Sequence, residues 1–480
     1  MSVFQIIWGL ILAWLLGSSF RRTWRLEHGI PNYSGFTIGK SRGTETFVFV
    51  PPTVLFWILL VFFVMYSVSL GIKTGSIRFV ALLAEVLFIL SVYFPLLLVC
   101  LPFLRKRISA RACAVLWLIP AFLLWQGNML IDTMQLPKLT LFVPYPILSV
   151  IGIVWLAGFI IVEGFYLISH LIFSSEVKKY SMPETDEEIL NIWAHEQEIL
   201  DYMRPVKLLR SDIPAPFSMG RTRFSRCTVL PKHKQYSPAE LSMIFSHELH
   251  HLQRCDVDTK AFLCLCKALC WFNPLVWIAA KKASEDLERS CDEIVTENME
   301  ASDRLAYSKL LLDTAAPGRG CTTCLSAAAG TLRYRLKSVM EPRKRPAGTI
   351  LLMLALFSCV MSFGLISISD ARGNFSSLVL AEDIQISRVY DSRTYETISR
   401  DSALLLKALD AIELEHLTGE RKPEFKNTEK RYIFTLSDGR QATLTDSYLY
   451  LQDSRYVNRR TDLYLVKNAI DWESVLGHTK

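Results

Sequence analysis

Charge is scarce in this sequence. Asp, Glu, Lys and Arg make up 21% of its 480 residues, against a hydrophobic share of 51%, whereas soluble domains carry about 25% charged residues. The deficit excludes an ordinary soluble enzyme, and the abundance of aliphatic and aromatic side chains excludes a disordered chain. Cysteine stops at Cys359, the last of eleven. Exported domains pair their cysteines or lack them, and cytosolic thiols stay reduced, so the C-terminal segment reads as extracytoplasmic. No basic residue precedes the first apolar run, and Arg21, Arg22 and Arg25 follow it. That order is the reverse of a cleaved signal peptide and reads as a retained anchor. The net charge of +7 does not point to nucleic acid, because many of the positives flank apolar runs, where they act as topology signals.

What is abundant is long apolar runs. Six of them, at Val3–Ser19, Pro52–Ile72, Phe79–Leu104, Ala112–Ile131, Tyr145–Phe173 and Thr349–Ser369, approach or exceed the roughly 20 residues needed to cross a bilayer. Basic residues collect in alternate loops: Arg21 to Arg42, Arg105 to Arg111, Lys178 and Lys179, and Arg343 to Arg345. Such loops stay in the cytoplasm. The expected fold is a multi-pass α-helical membrane protein with about five transmembrane helices in residues 1–174 and a cytoplasmic domain over 175–346. A sixth transmembrane helix over 347–369 and a small extracytoplasmic α+β domain over 370–480 follow. In that last domain Asp401–Glu413 has a helical apolar stripe. Arg431–Leu436 and Gln441–Leu444 flank Asp438-Gly439 as a hairpin, and Ser447–Leu451 and Thr461–Val466 look like further strands.

The chemistry lies between runs five and six. Ser237, Pro238 and Glu240 form a helix start with a capping box, followed by Leu241, Ile244 and Leu252 at helical spacing. His247 and His251 therefore share one helix face, where two imidazoles can take two corners of a zinc tetrahedron. Glu248, one position round, is placed to accept a proton rather than to bind metal, the HExxH arrangement of zinc proteases. His250 is a neighbour, because choosing it as ligand forfeits that geometry.

A catalytic zinc takes three protein ligands and keeps one position open. Glu288 and Asp292 are four residues apart; Glu288 can be the third ligand while Asp292 hydrogen-bonds a ligand histidine. The intervening Ala261–Ala280 is apolar enough to read as a seventh span, which would carry Glu288 about 30 Å from the histidines. Lys267 and the central Trp271-Phe272-Asn273-Pro274 argue instead for a break into two shorter helices. Cys321 and Cys324 have CxxC spacing, but no second pair completes a structural zinc site.

These residues are similar to those of a known family. His247-Glu-Leu-His-His251 with Asp256, Trp271-Phe-Asn-Pro274-Leu-Val-Trp277 and Glu288-x-x-Cys291-Asp292 resemble the BlaR/MecR-type antirepressor membrane metallopeptidases of bacterial cell membranes. Pro214–Gly220, Val229–Pro231 and Leu332–Lys337 extend the resemblance over roughly residues 180–345. It implies a gluzincin-like site, with His247, His251 and Glu288 holding one Zn2+, Glu248 as base, and Asp256 and Asp292 in support. It also implies signalling in which an extracytoplasmic ligand triggers self-cleavage or cleavage of a cytoplasmic protein, a transcriptional repressor in the family. The expected partners are that protein, an unidentified external ligand and membrane lipid. The chain departs from the penicillin sensors: no serine beyond residue 370 is followed by lysine three positions later, so an acylated sensor is disfavoured. A constitutive HtpX-like quality-control protease and a non-catalytic zinc-stabilised receptor are the alternatives. The glycine-bearing loop Ala315–Arg335 is the expected place for self-cleavage.

Overall fold

The computed structural model describes residues 3–28, 52–123, 139–202, 204–220, 226–314, 329–341, 345–380, 385–391, 402–418, 431–453 and 460–472, with a few isolated residues between them. Helices α1 (Val3–Glu27), α2 (Val54–Leu70), α3 (Ile72–Leu104), α4 (Ala110–Leu116) and α5 (Tyr145–Tyr180) come first. Then follow α6 (Glu187–Ile199), α7 (Pro238–Arg254), α8 (Asp256–Leu269), α9 (Pro274–Val295), α10 (Ala301–Asp313) and α11 (Ala329–Met340). The apolar α12 (Thr349–Ser362) leads into a C-terminal sheet. Among the described residues two helices are long and apolar enough to cross a membrane, α3 from Gly75 onward and α5. The exposed faces of α5 are apolar, including Ile153, Ile161, Ile168 and Leu171.

Two of the expected spans differ from the reading above. The run Ala112–Ile131 starts as α4, whose seven residues are all buried, and passes into a 3-10 turn at Ile119–Phe122; residues 124–131 lie outside the described set. Pro120 has no N–H to return to the Leu116 carbonyl, and Trp117 is drawn to Asp286 on α9, donating its indole N–H at 2.9 Å. The last run stops being helical at Ser362. Ile366–Gly373 is a strand, paired in parallel with Leu139–Phe142 and antiparallel with Leu414–Leu417. Ile366-Ser-Ile-Ser alternates with the period of two of a strand, with Ser367 and Ser369 on its buried side.

The helical layer has two different neighbours. At one end, Arg78 near the start of α3 donates to the Thr461 carbonyl and faces Asp462 of the C-terminal sheet. At the other end, Arg105 just after α3 makes a two-pronged contact with Asp286, at 2.9 and 2.8 Å. Glu27, the last residue of α1, receives Arg254 of α7 at 3.1 and 2.7 Å.

Helices α8 and α9 form the hairpin expected at Ala261–Ala280. Asn273 caps α9 through the Leu275 N–H, with Pro274 at the first helical position. The turn docks on α5: Trp155 donates to the Leu269 carbonyl at 2.8 Å, and Trp271 donates to the Trp155 carbonyl at 3.2 Å. Gly158 makes room for this, since a Cβ there would stand 2.2 Å from the Trp271 ring. Beside α7 a five-stranded sheet, centred on Lys207–Ser211 and Cys227–Pro231, closes the core of Leu230, Phe245 and Leu249.

The C-terminal sheet has eight strands. Four of them, Tyr432–Leu436, Arg440–Leu444, Tyr448–Asp453 and Arg460–Val466, run as an antiparallel meander. Its first turn uses Gly439 at φ +85°, a conformation that favours glycine. Helix Ser402–Asp410 covers the sheet with Leu405 and Leu409 against Phe434 and Leu444.

Candidate metal centre

Helix α7 begins where the capping box places it: Ser237 Oγ accepts the Glu240 N–H, and Glu240 returns to the Ser237 N–H at 2.8 Å. Ten residues on, His247 and His251 face the same way and are wholly buried, as is Glu248. Their Nε2 atoms are 3.0 Å apart. The α8–α9 hairpin returns Glu288 to this point, with Oε2 3.6 Å from His247 Nε2 and 3.5 Å from His251 Nε2.

The fit to a metal ion can be tested on these distances. Tetrahedral zinc with ligand bonds of about 2.0–2.1 Å separates its ligand atoms by about 3.3 Å, and the three edges here bracket that value. Glu288 Oε2 is buried without a hydrogen-bond partner, and two nitrogens with one carboxylate oxygen form a donor set that zinc favours. These three residues form a group whose potential ligand atoms lie within 4.8 Å of one another.

The far nitrogens of both histidines are also engaged. His251 Nδ1 donates to Asp256 Oδ2 at 2.7 Å. Asp256 reaches it because Cys255 adopts a left-handed backbone at φ 56°, ending α7 and starting α8 in one residue. Tyr307 donates to Asp292 Oδ1 at 2.8 Å and accepts from His247 Nδ1 at 2.9 Å. With protons on both Nδ1 atoms, both Nε2 lone pairs face Glu288. Arg335, wholly buried on α11, grips Asp292 with two bonds of 2.7 Å and stands 3.3 Å from Glu288 Oε2. Lys260 Nζ donates to Glu288 Oε1 at 3.2 Å.

The electrostatics follow from this packing. Burial pushes His247 down to about 4, with the neighbouring His251 and Arg335 acting in the same sense. Burial also acts to lower His251, but Cys291, Glu288 and Asp256 outweigh it and raise the ring well above its ordinary value. Burial acts to raise Glu288, yet Lys260 and the two histidines hold its carboxyl well below the usual range. Glu288 and His251 thus favour positive charge beside Oε2, while burial keeps the His247 ring neutral. His250 faces elsewhere, with Nδ1 2.7 Å from the Ser246 carbonyl. A second grouping of His251, Asp256 and Cys291 shares the first site's histidine. Since Asp256 already holds His251 Nδ1 and Arg254 donates to Cys291 Sγ at 3.3 Å, it orients His251.

The comparison with protein families falls on this region: residues 132–339 match the BlaR1 peptidase M56 model. That stretch of the chain is similar to the BlaR1 peptidase M56 family. Among curated proteins it is 30% identical over 184 residues to "Regulatory protein BlaR1" of Bacillus licheniformis. That alignment covers 38% of this chain and spans 30% of the relative's length.

Within the M56 region, Tyr307, Arg335 and Lys260 serve the site without having been singled out in sequence. Arg335 lies inside the resembling Leu332–Lys337 segment, the one signal that pointed to it. Of the loop expected to be cleaved, residues 315–322 and 325–328 lie outside the described set. Its end belongs to α11, which makes Arg335 a buried structural group. Cys321 also lies outside the described residues, and Thr323–Cys324 pair with Phe217–Ser218 as a short strand.

Proposed function

We propose that the protein is an integral-membrane zinc metalloendopeptidase that acts as a signal transducer, cleaving itself, a cytoplasmic repressor or both in response to an extracytoplasmic signal. The observation that carries this reading is the convergence of His247, His251 and Glu288, with Glu248 adjacent on the same helix. These three would hold a zinc ion, which when bound supplies Lewis acidity toward the peptide carbonyl and toward water. Glu248 accepts the proton of the attacking water and returns it to the departing amine. Asp256 fixes the tautomer of His251, and Tyr307 with Asp292 fixes that of His247. Arg335 and Lys260 keep Glu288 anionic.

In this reading residues 1–174 and 347–369 form the membrane part, with the gluzincin-like domain 175–346 in the cytoplasm and 370–480 outside. The separation of the sheet from the site by the helical layer supports that arrangement. The regulatory name of the relative supports a signalling role over constitutive proteolysis. The test is Glu248→Gln, an amide of nearly the same shape that cannot take the proton. Zinc content and fold should persist while cleavage of the protein or of a co-expressed repressor falls about 10²–10⁴-fold. Cleavage at the wild-type rate with zinc bound would assign the base elsewhere, and lost cleavage with normal signalling would favour a receptor.

A further inference from the structure

A cavity of about 680 Å³ lies between α5 and the α8–α9 hairpin, outside the metal centre. Its walls carry Lys260, Lys267 and Lys281 against one carboxylate, Glu176, an excess of two positive charges. Lys267 is fixed in place, donating to Tyr166 Oη at 2.8 Å and lying over that ring at 4.0 Å, with Trp277 beyond. Phe165 and Ile172 line the cavity and also belong to the exposed apolar face of α5. Basic side chains, an aromatic rim and an adjoining apolar wall match an anionic headgroup carrying acyl chains. Basic pockets between membrane helices on the cytoplasmic side bind such lipids, and Trp and Tyr favour that depth.

We propose that this cavity binds an anionic phospholipid, its phosphate held by Lys260, Lys267 and Lys281 and its acyl chains lying along α5. The inference rests on the reading that α5 crosses the membrane. It also connects the bilayer to the metal centre, because Lys260 lines the cavity and donates to Glu288. A phosphate that shares Lys260 leaves Glu288 with a weaker cationic partner, so lipid occupancy adjusts how tightly the third ligand is held.

The experiment uses the full chain reconstituted with spin-labelled phosphatidylglycerol or phosphatidylcholine, measuring the relative association of each lipid. Wild type should prefer phosphatidylglycerol, and Lys267→Gln/Lys281→Gln should lose that preference on the order of tenfold. The charge-retaining Lys267→Arg/Lys281→Arg should keep it, and equal melting temperatures would show that all three proteins are folded. Competition by soluble glycerol phosphate as strong as by the lipid would overturn the lipid assignment. An unchanged preference in the glutamine variant overturns the site. Failure of the wild type to partition into vesicles at all would instead reject the membrane reading of α5.

Discussion

Replacing Arg335 with methionine keeps most of the side chain's bulk but removes the guanidinium that pairs with Asp292. Asp292 is wholly buried, and what remains to it is the Tyr307 hydroxyl at 2.8 Å, with His247 Nδ1 3.5 Å away. Breaking a buried pair by deleting one partner costs about 3–5 kcal/mol, because the other charge stays behind. A unit of 150–250 residues loses roughly 2–4 °C per kcal/mol, so Arg335→Met should lower the melting temperature by roughly 6–20 °C. Zinc should bind more weakly as well, since Asp292, no longer gripped by Arg335, holds Tyr307 and through it His247 less firmly. Intrinsic-fluorescence melting of the detergent-solubilised protein, with zinc content measured alongside, is the assay. The decisive comparison is Arg335→Met/Asp292→Asn, which removes both charges and should melt above Arg335→Met alone. If the single variant melts within about 2 °C of wild type, or if the double is the sum of the two singles, the uncompensated charge is not the cause.

Metal analysis should give about one zinc per chain, and His247→Ala/His251→Ala should abolish it; full retention would reject the site. Asp256→Asn and Tyr307→Phe, each removing one partner of a ligand histidine, should weaken zinc about 10–100-fold in chelator competition, and unchanged affinity would show that packing alone orients the rings. In the C-terminal sheet His416 donates to Asp370 at 2.6 Å and faces Asp462. Burial acts to lower it, but the two carboxylates raise it to about 9. Its stabilising effect is therefore complete below about pH 6.5 and is lost as pH rises through 9; melting against pH should show this decline, and His416→Asn should flatten it. Cysteine labelling should find residues 175 and 346 on one side of the membrane and 480 on the other, whereas 175 and 346 on opposite sides would break the proposed topology.

The site was legible where its logic is local. The i, i+4 histidines, the Ser237–Glu240 cap and the Pro274 break are patterns of neighbouring residues, and each sits on the element its pattern demands. Tyr307 and Arg335 were not legible as site residues, because they reach Asp292 from 15 and 43 positions away and no periodicity marks such contacts. The same distinction holds in the fold. The Asp438-Gly439 hairpin is local and appears where expected. The strand Ile366–Gly373 is fixed by pairing with Leu139–Phe142 and Leu414–Leu417, and in sequence its Ile-Ser alternation was absorbed into an apolar run. The run after Ala112 misled for a related reason, since apolarity alone does not separate a lipid-facing helix from one buried beneath α9.

The Trp271 turn gives the hairpin a mechanical character. Helix α8 leads away from the histidines of α7 and α9 returns to Glu288, so the carboxylate reaches the imidazoles by way of one fork. Helix α8 is fourteen residues long, an arm of about 20 Å at 1.5 Å per residue. The tip rests on α5 at Gly158, where added atoms have no room. Glu288 rides on the returning arm between Asp286 and Asp292, each gripped by an arginine, so the seat of the tip at Gly158 and these two clamps together set how far the carboxylate stands from the imidazoles.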